Sequence, residues 1–323
     1  MLIRRKRGWE IAESAVTPEA AVFDRRRVLA VAGAAAAVGM AGRIGAAMAA
    51  DPATPAPAGA VNLNLPADPK YPPGRALTAE GVATTYNNYY EFSESKNLWR
   101  ATQKLPQRPW TVKVDGMVTK PQTLDIDTLL KTMKLEERIY RHRCVEAWAM
   151  TVPWTGFPMA ALISQLQPLA SAKYVVFQTA ESPAMPNIGA PFYPFPYTDG
   201  LTMAEAMNEL AFFTVGMYGK PLPPQNGGPF RMTTPWKYGF KQVKAIVRIS
   251  FTDKQPLNFW KAINPDEYGF WANVNPGVPH PRWSQAQERL IGTSEIVPTQ
   301  IYNGYGSFVA GLYAGMTHEK LFM

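Results

Sequence analysis

The sequence predicts an α+β fold of strands, short helices and long loops, and three observations carry that expectation. Strand-like and helix-like patterns follow one another irregularly, without the βαβα rhythm of a doubly wound sheet. Thirty prolines break the 323 residues into short elements. A composition of 46% hydrophobic, 12% aromatic and 18% charged residues is that of an ordered chain with ample core material. The length allows one large or two modest domains.

The elements follow in order. Residues 1–49 hold eight Lys/Arg and four acids, half of the formal charge of +8, so the basic balance is concentrated at one end and says little about nucleic acid. Arg25, Arg26 and Arg27 lead into a mild apolar run over 28–41, and Ala47-Met48-Ala49 has the form of a cleavage site. Together they read as a twin-arginine signal peptide, too short and too rich in glycine to span a membrane. That route carries proteins already folded, which points to the periplasm and to a tightly bound cofactor. Residues 50–76 are rich in Pro and Ala and read as a spacer or surface arm, with the catalytic domain over 77–323. Residues 110–118 alternate as a strand, 124–133 open with Asp125 as a short helix, 138–145 read as a strand and 158–166 as a helix. Residues 173–179 are the clearest buried strand, 202–208 a helical turn, and 212–216 and 245–252 further strands. Pro/Gly-rich loops fill 182–198, 219–229 and 273–281.

Residue counts narrow the chemistry. Cys144 is the single cysteine, which excludes an intrachain disulfide and Cys-built iron–sulfur or zinc sites. His142, His280 and His318 have no metal-ligand spacing, so an organic ligand must supply most donors to any metal. Arg141 and Arg143 stand just before Cys144, a setting that lowers a thiol pKa; a small buried residue is the plainer alternative. An extended stretch there places His142, Cys144 and Glu146 on one face. No Walker motif or GxGxxG is present. Turn residues over 223–230 followed by Arg231 suit a phosphate, or form an ordinary loop with a solvated arginine. Lys237, Lys241 and Lys244 interleave with aromatics over 236–244, the pattern of a strand edge with solvated charges; nucleic acid is disfavoured by export. Asn87, Asn88, Tyr90 and Glu91 offer amides, a phenol and a carboxylate to a heteroaromatic edge, or form an Asx turn. Asp125/Asp127 and Asp266/Glu267 read as caps or surface charges rather than as paired catalytic carboxylates.

Seven separated stretches then match one family in order: RCVEAW (143–148), VPWTGFP (152–158), PPQNG (223–227), PWKYGFK (235–241), DEYGF (266–270), ANVNP (272–276) and HPRWSQ (280–285). They resemble the catalytic subunits of bacterial periplasmic protein-methionine-sulfoxide reductases, molybdenum enzymes of the sulfite-oxidase-type fold with mixed β-sheets. The likeness runs from about Tyr86 to near the end. It implies one molybdenum per chain held by a single molybdopterin, with Cys144 as the protein's metal ligand and no haem on this chain. It implies that Asn87, Tyr90, Glu91, Thr179, Asn226, Arg231, Gln242, Val243 and Lys244 hold the pterin and its phosphate. Asn88 and Glu146 are implied to face the metal as catalytic residues. The implied reaction removes oxygen from methionine sulfoxide residues of oxidised periplasmic proteins. Electrons would come from a haem-containing, quinol-linked membrane partner serving a monomeric catalytic subunit. The resemblance departs from the animal and plant sulfite oxidases, whose cysteine motif continues Ala-Gly-Asn-Arg-Arg and whose extra dimerisation domain has no room after residue 285. Remaining alternatives are an oxidoreductase of another small S- or N-oxide, a Cys144/His142 thiol enzyme, and a cofactor-free exported binding protein.

Overall fold

The structure is a computed structural model that describes residues 61–322. The signal-peptide reading, the first part of the spacer reading and Met323 lie outside the described residues. The strands are β1 (Thr111–Gly116), β2 (Gln122–Asp125), β3 (Glu136–Arg143), β4 (Trp148–Pro158), β5 (Tyr174–Thr179), β6 (Thr198–Thr202), β7 (Phe212–Met217), β8 (Lys220–Pro221), β9 (Arg231–Thr233), β10 (Ile246–Thr252), β11 (Gln287–Leu290) and β12 (Ile296–Pro298). The α-helices are α1 (Glu80–Ala83), α2 (Trp99–Thr102), α3 (Ile126–Thr132), α4 (Met159–Leu166), α5 (Met203–Ala206), α6 (Phe259–Ile263) and α7 (Gly306–Val309). One sheet has the order β2-β1-β10-β5-β6; the other runs β12-β11-β4-β7-β8, with β3 paired to β4 and β9 to β7. Parallel pairs (β1–β10 and β11–β4) sit among antiparallel ones, so both sheets are mixed and the expected α+β class holds.

The expected strands at 110–118, 138–145, 173–179, 212–216 and 245–252 are β1, β3, β5, β7 and β10, and the expected helices are α3, α4 and α5. Their local chemistry is as read. The Asp125 carboxylate caps α3 by accepting from Thr128 N at 2.8 Å, and Asp127 pairs with Arg108 at 2.6 Å. Thr202 and Glu205 form a capping box on α5. The large omission is β4, which pairs with β3, β7 and β11. Ten of its eleven residues are buried, so burial on both faces erases simple alternation, and Pro153 and Gly156 look like breakers. Pro153 lacks a donor, yet its carbonyl accepts from Tyr218 N at 3.2 Å. The other strands missed have two to five residues, too few for periodicity to register. Residues 61–76 lie along the second sheet: Asp68 N donates to the Glu137 carbonyl at 2.8 Å, and Tyr71 is buried edge-on against Tyr140.

The strand-edge reading of 236–244 is corrected. Lys237 and Lys241 are completely buried, the first paired with Glu205 at 2.5 Å and the second with Asp199 at 2.7 Å. Lys237 also donates to the Trp271 carbonyl (2.7 Å) and Asn273 Oδ1 (2.8 Å). These pairs pin the segment that forms one wall of the site below. Lys237→Met leaves Glu205 as an unpaired buried carboxylate, so an unfolding free energy lower by about 3–5 kcal/mol is expected in urea titrations. A change below about 1 kcal/mol would show that the pair does not anchor the fold.

Candidate cofactor-binding active site

Strand β3 ends at Arg143, and the chain turns over 144–147 into β4. Cys144 N donates to the Trp148 carbonyl (2.9 Å), Ala147 N donates to the Cys144 carbonyl (3.1 Å), and Ala147 takes a φ of 61°. Cys144 therefore sits on a hairpin turn rather than within an extended strand. The turn still brings Glu146 to the sulfur: Glu146 N donates to Sγ at 3.5 Å, and the Glu146 carboxylate is 3.7 Å from it.

Sγ opens onto a cavity of about 480 Å³ lined by Asn87, Asn88, Tyr90, Glu91, Cys144, Glu146, Asn226, Arg231 and Lys244. Thr179, Gln242 and Val243 stand behind this wall. The Thr179 hydroxyl donates to the Lys244 carbonyl at 2.9 Å, Gln242 Oε1 accepts from Arg231 at 3.3 Å, and the Val243 carbonyl accepts from Met232 N at 3.0 Å. Beside the sulfur, Asn88 Nδ2 donates to Sγ at 3.5 Å and to Glu146 Oε2 at 3.1 Å. Glu146 also accepts from Lys96 (2.9 Å) and Trp148 Nε1 (2.9 Å). Burial opposes its charge, but these donors hold the carboxyl below its usual pKa.

The far end is cationic. Arg231 is buried and reaches only neutral acceptors, the carbonyls of Asn226 (2.8 Å) and Met232 (3.2 Å) and the Gln242 amide; burial lowers its pKa to about 10. Burial brings Lys244 down to about 8 against the pull of Glu91, and lifts Glu91 to about 7 against the pull of Lys244. The solvated-arginine reading of Arg231 is thus overturned. Gly227 takes a φ of +94°, and a Cβ there would lie 2.6 Å from the Lys244 side chain, so only glycine lets that lysine rise into the cavity. Gly239 makes a similar approach, its absent Cβ falling 2.7 Å from the His142 ring. Asn87 Oδ1, Asn88 Oδ1, Asn226 Oδ1 and His142 Nδ1 are buried and have no partner among the described residues, an unusual cluster of unused polar atoms.

Sequence reasoning missed the floor and the mouth. Trp148, Met150, Val152 and Trp154 of β4 all line the cavity, and their spacing of two was a legible signal of one strand face. Tyr197, Tyr268 and Trp283 from distant loops and Trp260 from α6 add aromatic walls, with Arg282 beside them, and no local pattern joins them. The nearby arginines do not bring the Cys144 pKa down as expected: burial, then Glu146, outweighs the pull of Arg143 and pushes the thiol up to about 12. Arg143 turns away to Glu288 at 2.8 Å, and Arg141 to the Pro73 carbonyl and Gln300. Burial, with Arg231 and Lys244, holds His142 down to about 3. A high thiol and a low imidazole run opposite to an activated thiolate–imidazolium pair, so these directions give the thiol-enzyme reading no support.

The His142 shift has a pH consequence. Its folded pKa is depressed, so stability is fully present above the ordinary value near 6.5 and is lost as pH falls toward 3. The thermal midpoint of the metal-free chain is expected to drop more between pH 7 and 4 than that of His142→Gln; equal drops would contradict this environment.

A lone thiol facing clustered polar and cationic groups suits an organic, anionic cofactor. The comparisons agree: residues 100–260 match the oxidoreductase molybdopterin binding domain. Relatives include the protein-methionine-sulfoxide reductase catalytic subunit MsrP of Burkholderia mallei, 50% identical over 98% of this chain and 96% of that protein, and that of Ralstonia nicotianae, 46% identical over 98% and 97%. The chain belongs to this family of protein-methionine-sulfoxide reductase catalytic subunits. Among solved structures, the sulfane dehydrogenase SoxCD of Paracoccus pantotrophus is 16% identical with a TM-score of 0.40, over 47% of this chain and 40% of that one, too partial a likeness to bear weight.

Proposed function

We propose that the chain reduces methionine sulfoxide residues of oxidised proteins at a molybdenum held by one molybdopterin, with Cys144 as the protein's ligand. The observation that carries this is the composition of one cavity: the lone thiol with Asn88 and Glu146, and the buried Arg231 and half-buried Lys244, which among the described residues reach no carboxylate within ion-pair distance. The residues fit the group. Unpartnered amide oxygens of Asn87 and Asn226 suit N–H edges of a heterocycle, and Arg231 and Lys244 suit a phosphate. A coordinating thiol is deprotonated outright by its metal, which overcomes the burial that keeps Cys144 protonated.

When bound, the cofactor supplies two-electron oxygen-atom transfer. Asn88 and Glu146 would hold and orient the sulfoxide beside Cys144. Glu146, kept as a carboxylate by Lys96, Trp148 and Asn88, would relay protons arriving from solvent toward the oxygen. Overall the S=O bond breaks, two electrons and two protons are consumed, and thioether and water leave. The indoles and phenols of Trp260, Tyr268 and Trp283 exclude water around the methyl and methylene groups. The family's description as a catalytic subunit supports a separate electron donor, for which we take a haem-containing, quinol-linked membrane partner. Haem would thus sit on that partner, and this chain would act as a monomer in the periplasm after twin-arginine export, without contact with nucleic acid.

The test is turnover of an oxidised, methionine-rich protein by full-length chain from a molybdate-replete host, driven by a reduced viologen. Thioether formation that disappears in tungstate-grown protein is expected; equal turnover from both preparations would refute the metal's role.

A further inference from the structure

The loop 280–285 was singled out in the sequence, and the proposed reaction uses only the Trp283 ring from it. It closes on the turn that carries Cys144. Trp283 Nε1 and Gln285 Nε2 both donate to the Val145 carbonyl, each at 2.7 Å. That carbonyl belongs to the same peptide unit as Glu146 N–H, which donates to Cys144 Sγ at 3.5 Å. The orientation of Gln285 is forced. Arg143 offers only donors and reaches Gln285 Oε1 at 2.8 Å, so the amide must turn its NH₂ toward Val145. Arg143 is itself fixed by Glu288 at 2.8 Å and also donates to the Cys144 carbonyl. Arg289 N holds the Ala147 carbonyl at 2.9 Å. Donors therefore hold the turn's carbonyls from behind while its Glu146 N–H faces the sulfur.

Donors on a carbonyl polarise its peptide and strengthen the hydrogen bond made by its N–H. Hydrogen bonds to a sulfur ligand withdraw electron density from it and raise the potential of the metal it serves. We propose that Trp283 and Gln285 are positioning residues that set the electron donation of the Cys144 sulfur, and so the metal potential, through the Val145–Glu146 peptide. The proposal rests on Cys144 being the metal ligand.

The experiment uses the loaded full-length chain, measuring metal content, midpoint potential and the sulfur-to-metal charge-transfer band. Trp283→Phe keeps the ring that stacks on His280 at 3.8 Å and removes the indole N–H. A lower potential and a red-shifted band at unchanged metal content are expected, with Gln285→Leu moving both the same way and the double variant further. Ser284→Ala, on the same loop with its hydroxyl turned to Ala286 N, is expected to change neither. Because Gln285 is buried and its variant is at risk of misfolding, Trp283→Phe decides alone: wild-type potential and band at full loading overturn the proposal. Should Cys144→Ser retain the wild-type band and potential, the ligand reading falls and the proposal with it, an outcome separable from failure of the peptide link.

Discussion

Cys144→Ser is expected to lower sulfoxide turnover by at least about a hundredfold while the protein stays folded. The sulfur is buried, but its contacts are weak ones to Asn88 and Glu146 at 3.5 Å or more. Replacement by a smaller hydroxyl therefore changes stability by only about 1 kcal/mol. A hydroxyl is a harder donor than a thiolate and a poor substitute on a metal already bound by soft sulfur. The measurement pairs viologen-driven turnover with a thermal melt of the same preparation. Turnover within threefold of wild type in a folded variant would remove Cys144 from the chemistry.

Lys244→Met is expected to act oppositely on cofactor and fold. Its ammonium is drawn into the cavity over Gly227 against the burial that lowers its pKa to about 8. Loss of a charge-assisted contact to a phosphate weakens cofactor retention by about 10- to 100-fold. In the metal-free chain a desolvated cation is replaced by an apolar chain of similar length, and Glu91, already lifted to about 7, answers the lost pull of Lys244 by taking up a proton. The melting midpoint of that chain is expected to be equal or higher, as for a group kept for function at a cost in stability. Pterin content after dialysis and the apo melting curve check both halves. Wild-type retention would show that the cationic end does not receive the cofactor.

Much of this site was legible because its chemistry depends on scarce residue types. A single cysteine, three scattered histidines and amide-rich segments narrow the choices before any folding argument, and seven ordered motifs name a family. Folding adds what no local pattern holds. Cys144 sits on a turn because Cys144 N and Ala147 N close it with backbone hydrogen bonds, whereas alternation alone extended the strand through it. Arg143, Lys237 and Lys241 look like solvated charges from their neighbours. Their partners Glu288, Glu205 and Asp199 are remote in sequence, and such pairings leave no periodic trace. β4 was hidden for a related reason: burial on both faces removes the polar half of the alternation.

X-ray absorption at the molybdenum edge, comparing wild type with Cys144→Ser, bears most directly on the cavity's assignment. One sulfur fewer around the metal in the variant is the result this account requires. An unchanged sulfur count, or wild-type protein from a molybdate-replete host that carries no molybdenum, would contradict it.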